Sequence, residues 1–212
     1  MTRLVLATRN EHKVVELREI LADVVDELGL EIVSAAEVDG PEVAETEVTF
    51  EGNARLKAVA LAAATGLPAL ADDSGLAVEV LGGSPGIFSA RWSGTTGGTG
   101  LASDERDRAN VRLLLEQVAD VPDEHRQAAF VCAAVLALPD GTTRSTEGRV
   151  EGVLARAPKG DNGFGYDPIL LTPDGRTLAE YTPAEKNAIS HRGRAFRAMA
   201  PILSAVLSEP LT

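Results

Sequence analysis

Two carboxylates stand side by side in Asp72-Asp73-Ser74-Gly75, directly after the apolar run Pro68 to Ala71. Neighbouring carboxylates raise one another's proton affinity unless a cation lies near them, and strand ends are where open α/β sheets receive ligands. A hard divalent cation fits that chemistry: Mg2+ takes one or two carboxylates and completes its shell with water and substrate phosphate. An Asp-Ser-Gly turn built on Asx hydrogen bonds would use the same residues. Glu45, in an acidic segment ahead of an Ala-rich helical pattern, is a third candidate carboxylate, although acidic loops are commonly just solvated.

Ala7-Thr8-Arg9-Asn10-Glu11-His12-Lys13 forms a polar turn between a strand-like and a helical segment. The N–H groups of a helix's first turn lack intrahelical partners and lie at the positive end of its dipole, so phosphate can settle there with Lys13 adding charge. Asn10 serves equally well as a plain N-cap. Neither Gly-x-x-x-x-Gly-Lys-[Ser/Thr] nor Gly-x-Gly-x-x-Gly occurs at this turn, so the usual nucleotide fingerprints do not explain it. Lys57 lies within the Ala-rich pattern, where a lysine ordinarily keeps its ammonium in solvent.

Gly163-Phe164-Gly165-Tyr166-Asp167-Pro168 gathers two aromatics and a carboxylate between glycines, in a chain with only 4% aromatic residues. Stacking on a planar ring and a packed hairpin corner both account for that density. Lys186-Asn187 and Ser190-His191-Arg192 collect polar groups where the last helix begins. Cations there oppose the helix dipole, which a bound anion or polar ligand would explain, as would simple exposure.

These residues need a scaffold. Leu4 to Ala7 reads as a short buried strand, Glu11 to Leu28 carries apolar residues at helical spacing, and Glu31 to Ser34 reads as a second strand. Asp39-Gly40-Pro41 breaks the chain. A helix is expected from Thr49 to a Gly66 C-cap followed by Pro68. Pro68 to Ala71 and Leu76 to Val80 read as strand segments interrupted by the polar tetrapeptide. Ser93 to Ser103, rich in Gly and Thr, reads as a mobile loop before an amphipathic helix from Asp104 to Val118. Gln127 to Leu138 and Thr142 to Leu154 read as strands joined by Pro139-Asp140-Gly141. Thr182 and Pro183 start a short helix, and a closing helix runs from Arg192 to Leu207. Early alternation of strands and helices with a late hairpin implies a mixed α/β sheet.

At 212 residues the chain is expected to be one large domain or one domain with two lobes. Its composition, 44% hydrophobic and 25% charged, is that of a globular protein and excludes whole-chain disorder. Twenty Lys and Arg against 32 Asp and Glu leave a net charge of −12, which argues against a nucleic-acid partner. One cysteine, Cys132, excludes a disulfide framework and suits a reducing cytoplasm. No apolar run approaches the ~18 residues of a membrane span and no signal-peptide pattern opens the chain.

Taken together, the segments resemble the inosine triphosphate pyrophosphatase family, the house-cleaning dITP/XTP pyrophosphatases. The residues that carry the resemblance are Ala7-Thr8-Arg9-Asn10 to Lys13, Glu45-Thr46 with Thr49-Phe50 and Asn53-Ala54, Ala71 to Leu76, Pro85 to Arg91, Gly163 to Pro168, and Glu185 to Arg192. The resemblance implies a single two-lobed domain over residues 1–212: an α/β fold with a long mixed sheet flanked by helices and a nucleotide cleft between the lobes. It implies Mg2+-dependent hydrolysis of deaminated purine nucleoside triphosphates (ITP, dITP, XTP) to monophosphate and pyrophosphate by a homodimer. Asp73 then corresponds to the catalytic carboxylate, with Glu45 and Asp72 helping to hold the metal. Thr8, Arg9, Asn10, Lys13 and Lys57 would hold the triphosphate and Ser74 would touch substrate. Phe164 would stack on the purine, with Gly165, Tyr166 and Asp167 around the nucleoside. Lys186, His191 and Arg192 would line the base pocket, and Arg192 is a candidate donor to a 6-keto oxygen. Ala44, Glu47 and Gly52 depart from the family pattern, where an acid, a glycine and a glutamate are common. A nucleotide-binding regulator without hydrolysis and, at lower rank, an aspartyl-nucleophile phosphatase are the competing readings.

Overall fold

The computed structural model describes residues 3–9, 11–94 and 102–208. Six strands form one mixed sheet in the order β2-β1-β3-β4-β5-β6, with β1 (Arg3–Leu6), β2 (Glu31–Ser34), β3 (Ala69–Val78), β4 (Gln127–Ala137), β5 (Thr143–Leu154) and β6 (Leu170–Leu171). β1 pairs parallel with β2 and β3, and β5 pairs antiparallel with β6. By contact the chain divides into two units. The first comprises the described parts of Met1–Asp73, Cys132–Gly148 and His191–Thr212; the second comprises those of Ser74–Val131 and Arg149–Ser190.

In the first unit, β1 is buried on both faces, which is why it reads as an unbroken apolar run. Leu4 and Leu6 pack into a core with Leu17, Leu21 and Leu70 and with Phe196, Met199 and Leu203 of α6 (His191–Leu207), while Val5 points the other way. There it meets Ala54, Ala58, Leu61 and Ala62 of α3 (Phe50–Thr65), whose small side chains let the helix lie close on the sheet. Thr49 caps α3, its hydroxyl oxygen accepting from Gly52 N at 3.0 Å, and Gly66 closes it in the left-handed conformation.

The second unit packs Val111, Leu114 and Val118, the first two on α4 (Ser103–Gln117), over Leu76, Phe130, Val150 and Leu154. Arg126, 1% exposed, donates to the carbonyls of Val118, Leu154 and Ala155 at 2.5–3.0 Å, so its buried charge closes the end of α4 against the end of β5.

Two expectations change. The helix expected over Glu11 to Leu28 is interrupted at Leu21, giving α1 (Glu11–Ile20) and α2 (Ala22–Leu28), although the i→i−4 bonds Leu21 N to Leu17 O and Val25 N to Leu21 O carry the turn across. The Asp72 to Gly75 segment does not interrupt a strand: β3 runs through it, because Asp72 finds cationic partners and Asp73 an amide. The loop read over Ser93 to Ser103 falls largely on residues 95–101, outside those described. Pro139 to Gly141 forms the expected turn, with Gly141 N on Leu138 O at 3.0 Å. Short α5 (Pro183–Ile189) begins at a Thr182 cap as read.

Gly148 of β5 lies against the start of α6: a Cβ there would stand 2.0 Å from His191 O and 2.4 Å from Ala195 N, both backbone atoms. Gly148→Ala is therefore expected to cost ~1–3 kcal/mol by overpacking. Thermal unfolding checks this, at roughly 2–4 °C of Tm per kcal/mol; an unchanged Tm would show that strand and helix separate without cost.

Candidate active site

Successive residues of a strand face opposite ways, so the two adjacent carboxylates of β3 are not a twinned pair. Asp72 shares its side with Leu70, toward the layer that contains α1 and α6; Asp73 shares its side with Ala71, toward α3. The Asp72 Oδ2 lies 3.3 Å from Lys13 Nζ of α1 and 3.3 Å from Arg192 Nε of α6. Arg192, whose side chain is only 3% exposed, also reaches Glu16 Oε2 through Nη1 at 2.9 Å. Burial pushes the Asp72 carboxyl up, but the Lys13 and Arg192 charges outweigh it and hold the group well below the usual carboxylate range. Burial opposes the Arg192 charge too, and Asp72 with Glu16 more than restores it.

Asp72, expected to help hold a metal, is paired with two cations of the chain and also lines the cavity described below. Arg192, expected to line a base pocket, directs its guanidinium to Asp72 and Glu16. His191 beside it is likewise buried.

On the α3 side, Lys57 Nζ donates to Glu45 Oε1 at 2.7 Å, so this lysine does not simply extend into solvent. Burial works against its charge; the Glu45 hydrogen bond and the nearby Asp73 and Asp72 charges prevail and raise its pKa. Asp73 Oδ2 accepts from Asn53 Nδ2 at 3.1 Å. Burial, reinforced by Glu45 and Asp72 against the pull of Lys57, pushes the Asp73 carboxyl up. Two neighbours in sequence are thus tuned in opposite directions.

A cavity of about 460 Å³ in the first unit is lined by Thr8, Arg9, Lys13, Glu42, Glu45, Lys57 and Asp72, among others. Arg9 closes one side, its Nη2 on Gly40 O at 2.6 Å. Among the described residues its charged lining balances, three cations (Arg9, Lys13, Lys57) against three carboxylates (Glu42, Glu45, Asp72). Asn10, expected beside Thr8, lies outside the described residues. Among the described residues no group of three or more His, Cys, Asp or Glu side chains is placed as a metal cage. Glu45 and Asp73 both act on Lys57, and their carboxylates offer hard oxygens of the kind taken by a cation that draws its other ligands from water and phosphate.

In the second unit, Ser74 is half-buried on β3 and the Gly163 to Pro168 segment holds two aromatics with opposite fates. Phe164 is 54% exposed, with Lys186 Nζ 4.8 Å from its ring centroid. Tyr166, expected around the nucleoside, is buried, and its hydroxyl donates to Ser89 O at 2.9 Å, so its ring belongs to the core. Asp167 Oδ2 accepts from Phe164 N at 2.8 Å and from Lys186 Nζ at 2.7 Å, and Gly165 N donates to Asp107 Oδ2 at 2.9 Å. Gly163, at φ 80°, leaves room for this: a Cβ would stand 2.2 Å from Asp167 Oδ2.

With that geometry in hand, the relatives are informative. The model of the Ham1 family matches residues 4–202. The chain belongs to the Ham1 family. A Streptomyces coelicolor protein named dITP/XTP pyrophosphatase is 60% identical over 98% of this chain and all of its own length. Among solved Ham1 structures, a protein from Coxiella burnetii is similar at TM-score 0.85 and 39% identity, covering 97% of this chain and 100% of its own. A Mycobacterium abscessus structure described as nucleoside-triphosphatase / dITP/XTP pyrophosphatase reaches TM-score 0.75 and 47% identity, covering 95% and 100%.

Within this Ham1 chain, sequence reasoning assigned nothing to Glu16, Asn53 or Asp107. Two of them were within reach. Glu16 follows Lys13 by three residues, and Asn53 precedes Lys57 by four, so each shares a helix face with a lysine already singled out. Asp107 gave no comparable signal.

Removing Arg192 would leave Asp72 and Glu16 short of a buried cation. Arg192→Met is expected to lower stability by ~3–5 kcal/mol, as breaking a buried pair does, and adding Asp72→Asn should recover part of the loss. Urea midpoints of the three proteins check this; an unchanged single-variant midpoint would show the guanidinium to be solvated.

Proposed function

We propose that this chain is a nucleoside-triphosphate pyrophosphatase that hydrolyses dITP, ITP and XTP to the monophosphate and pyrophosphate. The observation that carries the reading is the Lys57–Glu45 pair beside Asp73, at a cavity that Lys13 also borders. The names borne by relatives up to 60% identical support the substrate class. The same family reading extends to a homodimer acting in the cytoplasm.

The charge arithmetic of the cavity defines the need for a metal. Its cations and carboxylates cancel, so a triphosphate bearing about four negative charges would meet no net counter-charge from the lining. Glu45 and Asp73 would hold Mg2+, which supplies the screening and polarisation of the phosphates when bound. Lys13 and Lys57 grip the polyphosphate and offset the charge that gathers on departing pyrophosphate. Thr8 and Arg9, on the cavity wall, contribute donors. Asp73 directs water toward the α-phosphorus, held in place by the Asn53 amide at 3.1 Å.

At the nucleoside end, the exposed Phe164 ring receives the purine face. The Lys186 ammonium is anchored on Asp167 and stands over that ring, where its further N–H groups favour a keto oxygen. A 6-amino group would present a donor to a donor, which disfavours adenine. Lys186 thus joins backbone groups and Arg192, the donors toward a 6-keto oxygen that the sequence offered.

Incubation with dITP or XTP and Mg2+ is expected to release pyrophosphate, with kcat/KM well above that for ATP. Asp73→Asn should lower kcat by ~10²–10⁴-fold, the range for a positioned proton acceptor, while nucleotide binding persists; Lys13→Ala should act chiefly on KM. Nucleotide binding without turnover would make the chain a regulator, and orthophosphate with a phospho-enzyme would make it a phosphatase.

A further inference from the structure

Asn53 is fully buried, at 0% exposure, in the first turns of α3, and both ends of its amide are used. Its Oδ1 accepts the Glu47 backbone N–H at 3.0 Å and its Nδ2 donates to Asp73 Oδ2 at 3.1 Å. Few side chains could serve both partners from one position. A carboxylate would accept from Glu47 but turn a like charge on Asp73; a hydrocarbon would leave a backbone donor and a carboxylate without their partner.

The two partners matter because of where they lead. Asp73 is one of the carboxylates flanking Lys57, and Glu47 sits two residues beyond Glu45, the other, in the same extended segment. One turn further along α3 comes Lys57 itself. The close approach of Glu47 to α3 depends in turn on Gly52, where a Cβ would stand 2.7 Å from Glu47 Cβ and 2.9 Å from its Cγ. The stem of Glu47 fills the space that a side chain at 52 would take.

We propose that Asn53 is a positioning residue for the pyrophosphatase reaction, a buried amide that orients the Asp73 carboxylate and fixes the chain carrying Glu45 relative to it. The proposal rests on the reading of Asp73 as the reacting carboxylate. Asn53 touches neither substrate nor metal; it acts through Asp73.

The test is a double-mutant cycle on the full chain, with dITP turnover, dITP binding and Tm measured for each protein. Asn53→Asp keeps the acceptor for Glu47 and removes the donor to Asp73. It is expected to lower kcat by ~10–100-fold, as loss of a partner that orients a reacting group does, with KM little changed. Asn53→Ala should lower kcat at least as much. In an Asp73→Asn background, Asn53→Ala should cost almost nothing further in kcat. The exchanged pair, Asn53→Asp with Asp73→Asn, can re-form the hydrogen bond with its polarity reversed, and should recover Tm relative to Asn53→Asp without recovering turnover. The proposal is overturned if Asn53→Asp leaves kcat intact, if it raises KM alone, or if Asn53→Ala costs the same factor with and without the Asp73 carboxylate. Should these single variants fail to fold, Asn53→Gln, which keeps both ends of the amide on a longer stem and leaves Asp73 in place, decides: kcat lowered ~10-fold or more supports the proposal, and an unchanged kcat at reduced Tm would make Asn53 structural. Full kcat in Asp73→Asn alone would instead defeat the reading of Asp73.

Discussion

A carboxylate buried in the middle of a strand is the constraint on which the first unit is built. Asp72 lies in β3 among apolar neighbours, and a lone charge there would be prohibitive without compensation. Its compensation comes from Lys13, 59 residues earlier, and Arg192, 120 residues later. Meeting that demand ties α1 and the start of α6 to one point of the sheet. Glu16 then balances the second charge that Arg192 brings. Replacing such a cluster by hydrocarbon is often neutral or better for stability, so its retention here fits a task for Lys13 beyond folding: its ammonium is the cluster's least buried cation and borders the cavity.

The pleat of β3 separates the two aspartates chemically as well as spatially. Asp72 meets two cations and is held as a permanent anion; Asp73, one residue on, meets an amide, a lysine and another acid and has its proton affinity raised. The two carboxylates differ for the same reason that neighbouring strand residues face opposite layers. Lys57 is the hinge of the second group, since it answers Glu45 directly and Asp73 through space. Among the described residues the charges lining the neighbouring cavity are thereby balanced.

The second unit uses its few aromatics economically. Tyr166 finds a backbone acceptor and goes inward, whereas Phe164, with no polar atom to satisfy, stays outside under a lysine. Glycines at positive φ on either side of Phe164 make that reversal possible, and Asp107 and Asp167 pin the backbone between them.

Much of this was legible in local pattern. Strand β2, the capped helix α3, the Pro139 to Gly141 turn and the Thr182 start of α5 follow from periodicity, cap chemistry and turn residues, which act over a few neighbours. The residue types of the candidate site were legible too, as lysines and acids in polar turns. What distance along the chain concealed was pairing: which cation answers Asp72, whether Arg192 faces a ligand or a carboxylate, and which of two aromatics is buried. Charges separated by more than a hundred residues interact only once the sheet has brought them within hydrogen-bond reach, and burial, which sets their proton affinities, belongs to the packed layers and not to any segment alone.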